Sequence, residues 1–176
     1  MKKMHYLLGA LALGAITLTS CSDDDNESND VGIAGTYELE AVNTETATDF
    51  NDDGTEHSNQ MEESGCYDAG RIKLNSDSTF TYTITGILID TSDGSVGCKE
   101  SFQASGTWEI QTGTSNNAVI SAAYEDQNGD DQVITLVKAG NQLTYTEDNI
   151  LSTYPDRNDD GEAFYNSGST TYVFEK

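Results

Sequence analysis

The chain has little positive charge. Eight Lys and Arg stand against 31 Asp and Glu in 176 residues, giving a formal net charge of -23 and a pI near 4.1. Nucleic-acid binding needs clustered Lys and Arg to neutralise phosphates, so this balance argues against a nucleic-acid partner. A single proline and nine tyrosines exclude a proline-rich linker or a low-complexity chain. No apolar run reaches the ~20 residues of a membrane-spanning helix. Three cysteines and two histidines leave little material for thiol or imidazole chemistry. What is present, 35% hydrophobic and 9% aromatic residues, suffices for the core of one domain.

The first twenty residues read as an address. Lys2 and Lys3 precede the apolar stretch Leu7 to Ile16, which is too short to span a bilayer and has the form of a signal peptide's hydrophobic region. Leu18-Thr19-Ser20-Cys21 follows and resembles the bacterial lipobox, in which the cysteine sulfur is acylated and becomes the mature N-terminus. The resemblance implies lipidation at Cys21, with each buried CH₂ of the acyl chains contributing about 0.8 kcal/mol of membrane affinity. Residues 21–31, rich in Asp, Asn and Ser, form an acidic tether, and an acidic run at this place resembles the surface-export signal of Bacteroidetes lipoproteins. Loss of Lys2 and Lys3 leaves six cations against 31 acids, a net charge of -25. The expected location is the outer membrane, lipid-anchored and facing the periplasm or the cell surface. With Cys21 consumed, Cys66 and Cys98 remain as an even pair. In an oxidising compartment such a pair is expected to form a disulfide, and neither a CxxC spacing nor a nearby His points to a metal instead.

Residues 32–176 read as one all-β domain. Thr79-Phe80-Thr81-Tyr82-Thr83-Ile84 alternates strictly and places Phe80, Tyr82 and Ile84 on one face. Similar alternation predicts strands over 36–42, 70–75, 78–89, 101–111, 117–125, 131–139, 141–147 and 169–176. Val133 to Val137, apolar on both faces, predicts a more deeply covered strand, and residues 150–154 suit a single helical turn. Gly140-Asn141 suits a two-residue hairpin. Eight sequential antiparallel strands with one apolar face predict closure into an up-and-down barrel, which removes exposed edges. The ordered series Gly35-Thr36-Tyr37-Glu38-Leu39, Ile72-Lys73-Leu74-Asn75-Ser76-Asp77-Ser78-Thr79-Phe80, Gly106-Thr107-Trp108-Glu109-Ile110, Asn141-Gln142-Leu143-Thr144-Tyr145 and Thr171-Tyr172-Val173-Phe174-Glu175-Lys176 resembles the lipocalin-like lipoproteins of Bacteroidetes. The sequence departs at Tyr37, where lipocalins more often carry Trp.

Catalysis finds no footing in the sequence. His57, the one histidine outside the leader, lies in a polar loop without a nucleophile partner, and no elbow motif presents a serine. The acidic loops carry a sharper pattern. Asp49, Asn51 and Asp53 before Gly54, and Asp156, Asn158 and Asp160 before Gly161, match D-x-N-x-D-G, whose alternate oxygens suit Ca²⁺. Asp126 to Asp131 is a looser version. The twelfth positions hold Gln60 and Ser167 in place of the glutamate of a complete EF-hand, so Glu62, Glu63 or Glu162 would have to complete a site from outside the register. Asp/Asn/Gly turns also form without metal. Both loops are expected at one end of the barrel. Tyr37, Phe80, Tyr82, Trp108, Tyr145 and Tyr172 are expected to face inward, together with Tyr124 and Phe174, either filling the barrel or lining a ligand cavity. The reading is a non-enzymatic, lipid-anchored binding protein for a small apolar ligand or a surface protein or glycan. Its alternatives are a calcium-stabilised adhesion module and an enzyme inhibitor.

Overall fold

A computed structural model describes residues 32–148, 152–158 and 160–176. The signal peptide, Cys21 and the acidic tether lie outside the described residues. Thirteen strands carry the chain: β1 (Gly35–Thr48), β2 (His57–Asn59), β3 (Arg71–Leu74), β4 (Thr79–Ile84), β5 (Ile87–Ile89), β6 (Val96–Cys98), β7 (Phe102–Gly113), β8 (Asn117–Glu125), β9 (Asp131–Ala139), β10 (Gln142–Glu147), β11 (Thr153–Arg157), β12 (Ala163–Ser167) and β13 (Thr170–Glu175). A 3-10 turn spans Gly65–Tyr67, its Cys66 N–H capped by the Ser64 hydroxyl.

Eight of these strands close a barrel in the order β1-β3-β4-β7-β8-β9-β10-β13, every neighbour antiparallel, and β13 returns to β1. The closing pair runs from Glu38 opposite Glu175 to Thr44 opposite Thr170, with a bulge between Leu39 and Ala41. The expected up-and-down barrel is therefore present, and strands β7, β8 and β9 match their predicted spans to within two residues. Because successive barrel strands reverse direction, connections alternate between the ends. One end carries only tight turns after β3, β7 and β9. The other carries the three long insertions: 49–70 with β2, 85–101 with the β5–β6 hairpin, and 148–169 with the β11–β12 hairpin.

The tight-turn end is filled with side chains. Tyr37, Leu74, Phe80, Ile120, Leu136, Leu143 and Phe174 are fully buried. The Tyr37 hydroxyl donates to the Ile33 carbonyl at 2.6 Å, and the Trp108 indole N–H donates to the Asn75 carbonyl at 2.9 Å. Both rings therefore keep their polar atoms satisfied inside an apolar core. Lys138 also points inward, 4% exposed, with its ammonium donating to the Gly140 carbonyl. Burial lowers its pKa, with Lys176 adding repulsion.

Three expectations change. The span 78–89 is not one strand: it breaks after Ile84, and Ile87–Ile89 leaves the barrel to pair with β6. Val133 and Val137 are not deeply covered but 63% and 48% exposed, because the wall of a single barrel has only one inner face and Ile134 and Leu136 occupy it. Val137 instead pairs with Val119 on the outer surface. The helical turn over 150–154 is not formed where it is described, since Thr153 and Tyr154 begin β11; residues 149–151 lie outside the described set.

Gly106 marks a place where the wall admits no side chain. A Cβ there would stand 1.9 Å from the Ala123 carbonyl oxygen, an atom fixed by the β7–β8 ladder. Gly106→Ala should therefore destabilise the barrel by about 2–3 kcal/mol, seen as a lower denaturant midpoint. An unchanged midpoint would show that the two strands separate freely at this point.

Candidate functional site

The three insertions roof one barrel mouth, and four kinds of contact knit them together. The Cys66–Cys98 disulfide, with Cα atoms 5.3 Å apart, ties the 3-10 turn of the first insertion to β6 of the second. It closes a loop with a sequence separation of 32 residues, worth about 3–4 kcal/mol by restriction of the unfolded chain. Arg157 joins all three: its Nε donates to the Phe50 carbonyl at 2.9 Å, one terminal nitrogen to Gly161 at 2.9 Å and the other to the Gly94 carbonyl. The Ile89 N–H donates to the Tyr165 hydroxyl at 3.1 Å, joining the two hairpins. The Tyr154 hydroxyl lies 2.8 Å from the Thr46 hydroxyl of β1, anchoring the third insertion to the wall.

Beneath this roof lies a cavity of about 460 Å³ whose lining includes Gln60, Tyr67, Glu147, Tyr154, Tyr165 and Tyr172. A second cavity, about 260 Å³, adjoins it inside the barrel and is bounded by Tyr82, Phe102, Tyr124 and Tyr145, sharing Glu147 and Tyr172 with the first. Strand alternation explains the shared residues. Leu143, Tyr145 and Glu147 occupy one face of β10, and Tyr172 and Phe174 the inner face of β13, so the last inward position before the mouth is an acid. Tyr145 and Tyr172 stack with centroids 5.7 Å apart and planes 15° from parallel. The Tyr172 hydroxyl approaches Glu147 Oε2 at 3.5 Å. The Tyr67 hydroxyl donates to Gln60 Oε1 at 2.9 Å, while the buried Gln60 amide nitrogen has no hydrogen-bond partner.

The inward aromatics thus divide into two groups. Tyr37, Phe80 and Trp108 fill the closed end, while Tyr82, Tyr145 and Tyr172 reach the cavities, as Tyr124 does. Sequence reasoning missed Tyr67, Tyr154, Tyr165 and Gln60, which come from the roof. It also missed Glu147, whose place two residues beyond Tyr145 on a period-two strand was a usable signal.

The acidic loops sit at this same end, as expected, but they are not equivalent. In the first, Asp49 accepts the Asp53 N–H at 3.0 Å and the Gly54 N–H at 2.9 Å, with Gly54 at φ +86° making the turn. Asn51 Oδ1 accepts the Asp53 N–H at 2.9 Å. In the second, Asp156 belongs to β11 and turns to Asn166, 3.0 Å away, while the loop N–H groups of Asp160 and Glu162 go to Asn158. In the third, Asp126 accepts from Asn128, Asp130 and Gln132, which depresses its pKa. Among the described residues, no three Asp, Glu, His or Cys side chains converge as a ready-made metal cluster.

Comparison with protein-family models, curated proteins and solved structures returns no match.

Burial raises the pKa of Tyr67, Tyr82, Tyr124, Tyr145 and Tyr172, and the Glu147 carboxylate adds to the effect at each. Tyr145 is pushed up to about 12. Stability contributed by an acid held neutral is whole below its unfolded value, 10.0 for tyrosine, and is lost as pH rises through the folded value. Spectrophotometric titration should therefore show most tyrosinate absorbance appearing above pH ~10 together with loss of near-ultraviolet circular dichroism. A reversible rise centred at the ordinary phenol value, with the fold intact, would place these rings in water.

Proposed function

We propose that the chain is a small-molecule binding protein whose ligand enters the roofed barrel mouth and sets a charged or strongly hydrogen-bonding head against Glu147. The observation that carries this reading is the position of that carboxylate, at the junction of two cavities walled by tyrosine rings. Much of the lining is polar in kind: Gln60, Lys99, Glu147, Thr170 and the tyrosine hydroxyls stand beside ring faces and Ile87. An amphipathic ligand suits this better than a wholly apolar one, since an apolar ligand would strand these groups without partners. Tyrosine faces attract cations by about 0.5–2 kcal/mol. The Glu147 carboxylate and a net charge of -25 after leader removal favour the same sign, and Lys99, the opposing charge in the lining, is itself exposed to solvent. We therefore favour a ligand with a planar or ring-shaped body and a protonated amine.

This reading is tested with matched probes, phenylethylamine and phenylacetate, by saturation-transfer NMR on the full-length chain. Phenylethylamine should bind in preference. Glu147→Gln should erase that preference, and Tyr172→Ala should weaken binding about tenfold, the value of one aromatic contact. Absence of transfer to both probes, or indifference to both substitutions, refutes the assignment.

We further propose that the protein is displayed on a membrane through acylated Cys21. The support is the sequence Leu18-Thr19-Ser20-Cys21 behind Lys2, Lys3 and an apolar stretch of ten residues, Leu7 to Ile16. Cys21→Ala should move the protein from the detergent phase to the aqueous phase in a partition assay; retention in detergent would remove the anchor.

A further inference from the structure

Glu63 is the most unusual charged group among the described residues. Its side chain is fully buried (0% exposed), yet its Oε1 has no hydrogen-bond partner, and the nearest basic group is the His57 imidazole, whose Nε2 lies 4.0 Å away. Its Oε2 accepts the Asn51 N–H at 3.3 Å, so the carboxylate is aimed into the first acidic loop. Removing a carboxylate from water without a partner costs several kcal/mol. Here the neighbours add to that cost, since Asp49 and Asp53 both repel it. An arrangement that buries one anion beside two others calls for a cation.

We infer that Asp49, Asn51, Asp53 and Glu63 form a binding site for a single hard divalent cation of the size of Ca²⁺, at the first acidic loop and not at the second. The loop supplies what such an ion requires. Asp49 spends only one lone pair on each N–H it accepts, leaving both oxygens able to ligate. Asn51 contributes an amide oxygen, and the Thr55 carbonyl follows at the seventh position of the calcium-loop pattern. Glu63 takes the part of the bidentate acid that Gln60 cannot play, from three residues further along. The turn between them is fixed by the Glu63 N–H donating to the Gln60 carbonyl at 3.2 Å. The three carboxylates do not converge on their own. Asp53 Oδ1 accepts the Thr55 N–H at 2.9 Å, so ligation falls to its Oδ2, which must give up a long 3.3 Å contact with the Asn51 side-chain amide on the exposed rim. The second loop differs: Asp156 lies in β11 and turns to Asn166, no buried carboxylate among the described residues faces the loop, and Arg157 already brings positive charge to the Gly161 carbonyl.

Calorimetry of CaCl₂ binding to the chelator-treated full-length chain should give one site per chain, in the ~0.1–1 mM range of extracellular modules. Asp53→Asn and Glu63→Gln should each weaken it at least tenfold, and Asp160→Asn should leave it unchanged. The melting order provides a second readout. In EDTA, Glu63→Gln should melt at or above the parent, because it removes a buried anion; in 10 mM Ca²⁺ the parent should melt higher. Mg²⁺ at equal concentration should raise the melting temperature less, since it demands a tighter octahedron. The inference is overturned if Ca²⁺ produces neither heat nor a melting shift up to 10 mM. It is equally overturned if Mg²⁺ matches the effect, if Glu63→Gln binds like the parent, or if Asp160→Asn abolishes binding.

Discussion

Closure of the sheet, with β13 hydrogen-bonded back to β1, is the constraint on which the rest of the molecule depends. An open meander could place long connections at either edge and leave two rows of unpaired backbone groups. A closed eight-stranded meander has only two ends, and connectivity assigns every turn to one or the other. The turns after β3, β7 and β9 are too short to do more than reverse the chain, so that end is sealed by side chains from within. All inserted length falls at the opposite end. The location of the candidate binding site thus follows from strand parity before any particular side chain is considered, much as barrel and sheet topologies elsewhere place sites where loops gather.

A roof made of three acidic insertions should repel itself, and the structure shows what offsets this. Carboxylates in the loops accept nearby backbone N–H groups, so Asp49, Asp90 and Asp126 hold their own turns together. Arg157 brings one guanidinium to three separate carbonyls, those of Phe50, Gly94 and Gly161. A planar fork with five donors can bridge three insertions in a way a lysine cannot. The disulfide adds a link that no pH or salt change loosens. The roof therefore stands on one arginine, one covalent bond and two tyrosine hydroxyls, while the barrel beneath stands on a continuous ladder and a packed interior.

The barrel was readable because each wall strand obeys period-two alternation with a single inner face. Phe80 and Tyr82, and Tyr172 and Phe174, could be assigned inward from spacing alone. The same rule failed at Val133 to Val137 because β-branched residues on the outer face of a barrel pair with one another and mimic burial in composition. The roof was hardly readable. The β5–β6 and β11–β12 hairpins are three and five residues per strand, too short to display a period, and what fixes them is tertiary: a disulfide, an arginine and two tyrosine hydroxyls. Six-residue acidic patterns made the first and second loops look alike. Only the destinations of the Asp49 and Asp156 oxygens separate them, and these depend on whether the first aspartate lies in a loop or in a strand.

The two candidate sites share one short stretch of chain, and this has a physical consequence. Glu63 faces the first acidic loop, while Gln60, bonded to it through one backbone contact, holds the Tyr67 hydroxyl in the wall of the larger cavity. Phe50, inside the same loop, is fully buried, and its carbonyl is one of the three held by Arg157. A cation fixing Glu63 would restrict Gln60 and Tyr67 through that contact, and an occupant of the cavity would restrict Glu63 in return. Coupling free energy between two sites is reciprocal by thermodynamic necessity. Its size here depends on how much freedom the 60–67 segment retains in isolation. Because Cys66 ties that segment to the β5–β6 hairpin, part of that freedom is already removed, so the bridge limits the coupling even as it holds the roof in place.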